Sequence, residues 1–170
     1  MSGRRLAIGG QIDRNRPFRF TFDGQEVQGY AGDTVASALL ASGRRIVGRS
    51  FKYHRPRGLM GAGVDEPNAL VEVLNGPTIE PNTRATTLEV CDGLRLRSQN
   101  RWPSLSWDLM AVNGWVPGVF AAGFYYKTFM SLPGGWMFYE RLIRRAAGLG
   151  RAGRVPYPAR YDRAYLYCDV

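Results

Sequence analysis

The sequence predicts an α+β domain of the β-grasp kind over residues 1–98, a small mixed sheet curled around one helix, with an aromatic-rich, partly helical extension over 99–170. Three observations carry that expectation. The chain opens with strand, tight-turn, strand and helix signals in close succession. Two more apolar or β-branched runs follow a glycine-rich loop and supply the remaining strands. From Asn100 onward the composition turns aromatic and rich in glycine, which marks a second region.

Phe18 to Phe22, FRFTF, alternates apolar with basic or polar side chains, and Asp23-Gly24 is a hairpin turn pair. Glu26 to Tyr30 is the returning strand. Gly32-Asp33-Thr34 then opens a helix, with Asp33 or Thr34 as its N-cap. Val35, Ala38 and Leu39, extended by Ala41-Ser42, form the buried face, and Gly43 ends the helix. Ala69 to Leu74 is a compact apolar run and Ala85 to Val90 carries Thr86 and Thr87, so both are expected strands. Pro77 to Pro81 between them is expected to be only a connection.

The run from Gly48 to Val71, GRSFKYHRPRGLMGAGVDEPNALV, has the layout of an iron–sulfur loop without the thiolates. A plant-type two-iron cluster takes Cys-x4-Cys-x2-Cys and a later fourth Cys. Met60, Asp65 and Asn68 stand at that spacing here. A thioether, a carboxylate and an amide do not replace three thiolates, so no 2Fe-2S cluster and no metal site is expected. The two cysteines, Cys91 and Cys168, lie far apart, and the single His54 has no second His or Cys at ligand spacing. Cys168 sits in a strand-like stretch and is expected to be a buried, reduced thiol.

A net charge of +9 points to anionic partners without saying which. The densest basic set is Arg44, Arg45, Arg49, Lys52, Arg55 and Arg57, interleaved with Phe51, Tyr53 and His54. Such interleaving also suits a single-strand groove, yet no nucleic-acid motif accompanies it, and nucleic acid is set aside. Arg49, Lys52, Arg55 and Arg57 are the candidate cofactor-binding residues, gripping a phosphate or pairing with another subunit. His54 could serve as a general base, but that work needs a matched second group and a lone His beside arginines is more often a hydrogen-bonding partner, so no catalytic residue is assigned. The start, MSGRRLAIGGQIDRNRP, has no apolar core of a secretory signal, and Gly9, Gly10, Gln11 and Asp13 interrupt a twin-arginine pattern. No run approaches the length of a membrane span, and a soluble, cytoplasmic chain is expected.

The extension carries Trp102, Trp107, Trp115, Phe120, Phe124, Phe129 and Trp136, with helix-like stretches at Ser104 to Ala111 and Trp136 to Ala147. So many large side chains fill either a second core or an interface. Pro156 to Val170 is expected to be an extended strap.

Several ordered blocks together resemble one family. They are Gly32-Asp33-Thr34 with Ala36-Ser37-Ala38-Leu39-Leu40, then Val47-Gly48-Arg49-Ser50-Phe51-Lys52-Tyr53-His54-Arg55-Pro56-Arg57-Gly58, and Glu66-Pro67-Asn68-Ala69-Leu70-Val71. Ser98-Gln99-Asn100-Arg101-Trp102-Pro103-Ser104-Leu105 and Ala122-Gly123-Phe124-Tyr125-Tyr126-Lys127-Thr128-Phe129-Met130 complete them. Across its whole length the chain resembles the N-terminal part of the alpha subunit of heterotetrameric sarcosine oxidase and of related amine, opine and proline-oxidising enzymes. The resemblance implies a cluster-free, 2Fe-2S ferredoxin-like domain in a non-catalytic, structural and docking role. It implies a complex that demethylates sarcosine to glycine with O2, giving hydrogen peroxide and methylene-tetrahydrofolate, with NAD, FAD, FMN and tetrahydrofolate as its cofactors. The implied partners are the remaining alpha segment, with its dinucleotide- and folate-binding domains, and the beta and smaller subunits. A Rossmann fingerprint is not completed in this sequence, because Glu66 and Pro67 follow Gly61-Ala62-Gly63. The expectation is therefore a truncated product, an excised fragment or a split subunit. The alternative kept open is a cofactor-phosphate gripping module for NAD or flavin in a related dehydrogenase.

Overall fold

The computed structural model describes residues 5–6, 8–115, 135–146, 150, 153–156, 160 and 162–168. Strand β1, Asp13–Phe22, turns at Asp23-Gly24 into β2, Gln25–Ala31. Both turn residues have positive φ, 52° at Asp23 and 77° at Gly24, which matches the twist of the paired strands. Their pairing slips between Asp13 and Pro17, where proline has no N–H to give.

Helix α1, Val35–Ala41, follows with Thr34 as N-cap, its side chain accepting the Ser37 amide. Val35, Ala36, Ala38 and Leu39 are buried against the sheet. Gly29 on β2 admits the helix closely, since a Cβ there would lie 3.0 Å from Val90 Cγ1 and 3.3 Å from Ala38 Cβ. Gly43, at φ 85°, ends the helix as expected.

A two-residue ribbon follows, β3 (Gly48–Arg49) against β4 (Pro56–Arg57). After the glycine-rich loop come β5 (Leu70–Asn75), β6 (Thr78–Arg84) and β7 (Arg95–Ser98). The main sheet runs β2-β1-β7-β5-β6, with β7 parallel to β1 and antiparallel to β5. This mixed sheet around one helix is the expected β-grasp arrangement. Phe20, Phe22, Leu39, Val71 and Leu96 are the heart of its core.

Two expectations for the sheet are corrected. Pro77 to Pro81 is more than a connection, because β6 starts at Thr78 and holds Pro81. Proline is tolerated there because β6 is an edge strand, and its pairing is irregular between Val71 and Val73. Ala85 to Val90 is not a strand. It crosses the start of α1, where the Ala85 and Leu88 carbonyls accept the Ala36 and Val35 amides that open the helix. The central strand is instead β7, whose burial alternates as exposed, buried, exposed, buried.

In the extension, Ser104 to Asp108 is a loop, and a 3-10 segment, Leu109–Trp115, follows it where a helix from Ser104 was expected. The stretch from Trp136 is helical, within α2, Gly135–Ala146. Residues 162–168 contain no regular element and are exposed throughout, so Cys168 is exposed, not buried. Phe120, Phe124 and Phe129 fall outside the described residues. Among the described residues, no helix is long and apolar enough to cross a membrane.

Leu96 is 2% exposed at the sheet centre, whereas Ile79 on the edge is 37% exposed. Leu96→Ala is expected to lower stability by about 3 kcal/mol, and Ile79→Ala by less than about 1.5 kcal/mol. A urea melt of each variant checks the ranking.

Candidate functional site

The glycine-rich loop between β4 and β5 winds around a carboxylate from its own chain. Glu66 is 1% exposed. One oxygen accepts the amides of Met60 at 2.7 Å and Gly61 at 2.5 Å, and the other accepts the Asn68 amide at 2.8 Å. Burial alone would raise its carboxyl pKa, but the amides of Gly61, Asn68, Met60 and Ala69 together hold it below the ordinary value. Thr86, also buried, donates from its hydroxyl to the Gly63 carbonyl at 2.7 Å and ties the loop to the turn after β6.

The residues at cluster-ligand spacing do not converge. Met60 is 76% exposed and Asp65 is exposed, while Asn68 is half-buried. The cysteines, Cys91 and Cys168, are both exposed and belong to other segments. Among the described residues no group of His, Cys, Asp or Glu is placed to hold a metal ion. The donor set of this loop does not fit an iron–sulfur cluster.

A second node lies beside the β3–β4 ribbon. Arg49 donates through Nε at 2.9 Å and through its NH2 nitrogen to the Leu105 carbonyl, and through NH1 to the His54 carbonyl at 2.9 Å. His54 is buried, with Nδ1 2.8 Å from Asp108 Oδ2. The other Asp108 oxygen accepts the Trp102 and Met110 amides, both at 3.1 Å. The Asn100 side chain donates to the Arg49 and Ser50 carbonyls. This network clamps residues 100–110 onto the ribbon, and Nε2 of His54 is buried without a hydrogen-bond partner among the described residues.

The four candidate basic residues therefore divide. Arg49 is engaged inside the network, its side chain 6% exposed. Arg55 lies over the Tyr53 ring at 5.0 Å, with Lys52 near the same ring at 5.3 Å. Lys52 and Arg57 line a hollow of about 490 Å³ with Phe51, Tyr53, Asn68 and Asn100. The Nδ2 of Asn68 is buried without a hydrogen-bond partner among the described residues.

The sequence reading missed Glu66, Asp108 and Asp33 as organisers. Asp33 is 1% exposed and accepts the Tyr30 amide, the Ser37 hydroxyl and both terminal nitrogens of Arg5. Burial pushes its carboxyl up, but the bonds from Arg5, Ser37 and Tyr30 prevail and hold it low. A carboxylate inside a glycine-rich turn was a readable signal for Glu66. Asp108 offered none, because its partner His54 is 54 residues away.

A family model described as "2Fe-2S iron-sulfur cluster binding domain" matches residues 15–101. Sarcosine oxidase subunit alpha of Rhizobium meliloti (strain 1021) is 57% identical over 171 residues, covering 100% of this chain and 17% of that protein. The subunit alpha of Corynebacterium sp. (strain U-96) is 46% identical over 89 residues, covering 51% and 9%. That of Corynebacterium sp. (strain P-1) is 52% identical over 63 residues, covering 37% and 6%. The chain thus spans about a sixth of the length of the first of these relatives. A crystal structure of L-proline dehydrogenase from P. horikoshii aligns at 26% identity and a TM-score of 0.41, covering 51% of this chain and 16% of that one. That score carries no argument, and the fold stands on the sheet order above.

Both depressed carboxyls bind fewer protons in the folded protein than in the unfolded chain. Their stabilisation is complete above about pH 4.5, the ordinary Glu value, and is lost as the pH falls through the depressed folded values. Glu66→Gln should lower stability at neutral pH by about 1–3 kcal/mol and flatten the acid limb of a pH–stability profile. A profile as steep as that of the parent would contradict the role given to Glu66.

Proposed function

We propose, from the premise that this chain belongs to the family of 2Fe-2S iron–sulfur cluster binding domains, that it is the non-catalytic, structural and docking part of a sarcosine oxidase alpha subunit. The observation that carries this reading is 57% identity along the entire chain to a sarcosine oxidase alpha subunit. The complex would oxidatively demethylate sarcosine to glycine with O2 in the cytoplasm, giving hydrogen peroxide and methylene-tetrahydrofolate. NAD, FAD, FMN and tetrahydrofolate would be held by other segments and subunits.

The surface supports docking. Trp102 is 60% exposed, Trp107 63% and Trp115 83%. Phe51, Leu109 and Val112 are exposed as well, and the 3-10 segment lies against the ribbon loop through the Asn113 side chain and the Lys52 carbonyl. Large exposed apolar side chains on a rigidly clamped segment suit an interface, where Trp contributes most. We place the frame in residues 1–98 and the contact region in 99–170. The remaining alpha segment and the beta subunit are the proposed partners.

A second reading is favoured by the hollow beside β3. Lys52 and Arg57, with Asn68 and Asn100 in the wall of the hollow, suit the phosphate of a nucleotide cofactor completed by another domain. Arg49 would then act by holding the ribbon, and Arg55 from the rim.

Co-expression with the rest of an alpha subunit and with beta separates the two. Trp107→Glu with Trp115→Glu should weaken assembly at least about tenfold by native mass spectrometry while cofactor content per assembled complex holds. Lys52→Glu with Arg57→Glu should leave assembly intact under the docking reading, and should deplete a nucleotide cofactor under the second. Undiminished assembly of the Trp variants would reject the docking surface.

A further inference from the structure

We propose that Glu66 and Thr86 close the loop from Met60 to Asn68 in place of an iron–sulfur cluster, so that this domain keeps its ferredoxin-like form as an iron-free module with no electron-carrying centre. The inference does not depend on the docking surface. It starts from the disagreement between the family, which is a cluster-binding one, and the donors that this loop presents.

A loop wound this tightly turns its backbone N–H groups inward, and each buried N–H needs an acceptor. In a cluster-binding loop, the negatively charged sulfurs take hydrogen bonds of this kind. Here Glu66 supplies the anion. Its two oxygens take amides from both ends of the loop, Met60 and Gly61 at the start and Asn68 at the finish. Among the described residues no cation forms an ion pair with it, so amide dipoles alone answer a charge that is 1% exposed. Three charge-assisted bonds within one loop are the kind of support that makes a buried carboxylate tolerable.

The outer side of the loop is closed by the later part of the chain. A cluster would take its fourth thiolate from there. Thr86, 5% exposed, reaches the loop from that side and donates to the Gly63 carbonyl at 2.7 Å. The same carbonyl faces the Glu66 amide at 3.4 Å, which links the two closures. Meanwhile the side chain of Met60 stands in solvent, 76% exposed, and that of Asp65 is exposed too. Two of the three positions from which thiolates would have to converge are turned outward, and the inward space belongs to the carboxylate.

The test is hydrogen exchange on the native assembly carrying this chain, read at the amides of the loop. In Glu66→Gln, exchange at Met60, Gly61 and Asn68 is expected to rise at least about tenfold more than at Val27 in the β1–β2 hairpin, whose rise reports only the loss of global stability. Glu66→Asp, one methylene short, should not restore protection. Thr86→Val should loosen residues 63–66 and serves as the second variant if the Glu66 changes prevent folding. Iron and acid-labile sulfide in the anaerobically purified parent should be far below one cluster per chain, with no visible absorbance from this chain. Unchanged loop protection in the Glu66 and Thr86 variants, or a stoichiometric cluster in the parent, would overturn the proposal.

Discussion

Glu66 is a charge held out of water that, among the described residues, only backbone amides answer, and the winding of the loop from Met60 to Asn68 follows from that requirement. The carboxylate fixes Asn68 through its amide. The Asn68 carbonyl in turn stands so close to β3 that a Cβ on Gly48 would lie 2.8 Å from it. Glycine is therefore needed where the ribbon passes the loop, and the same holds at Gly58, whose Cβ would lie 2.7 Å from the Arg45 carbonyl. The ribbon delivers Arg49, whose guanidinium holds the Leu105 carbonyl, and His54, which meets Asp108. These contacts seat the segment bearing Trp102 and Trp107 on the ribbon, which itself passes close to the loop that the carboxylate holds.

The parts of the fold legible in the sequence are those written in local pattern. The hairpin of β1 and β2 was readable because its alternation and its Asp23-Gly24 turn lie within a few residues of each other. Helix α1 was readable for the same reason, with Thr34 at its start and Gly43 at its end. Strand β7 was not, because it has four residues, two of them arginines, and is defined by pairing with β1 more than seventy residues earlier. Strand β6 was hidden by Pro81, which reads as a breaker until the strand is known to lie at the sheet edge. In the site, the lack of cluster ligands was plain from residue types alone. The inward turn of Glu66 was not, because neighbouring carboxylates Asp65 and Glu66 are equivalent in sequence and opposite in burial.

The basic segment shows why clustering in sequence is a poor guide to availability. Arg49, Lys52, Arg55 and Arg57 lie within nine residues, yet Arg49, although it lines the hollow, is spent on two carbonyls, Arg55 covers an aromatic ring, and Lys52 and Arg57 are left to face the hollow. A guanidinium suits the Arg49 position because its planar fork meets two acceptors at once, which an ammonium does not. The net charge of +9 therefore overstates the field that a ligand would meet. Arg5, Arg97 and Arg101 are also paired, with Asp33, Glu72 and Asp23.

A cluster-binding loop does two separable jobs, since the ligated cluster both fixes the loop and carries the electron. A carboxylate can do the first, because fixing the loop needs only an anion with two acceptor oxygens at the right depth. It cannot do the second, because a carboxylate has no accessible second oxidation state. Exchanging one for the other preserves the shape that neighbouring domains meet, while removing the need for thiolates and iron. Trp102 and Trp107 stand exposed on a segment that a different set of contacts, made by Arg49, His54 and Asp108, clamps to the ribbon, so the loop interior and that surface are held by separate anchors.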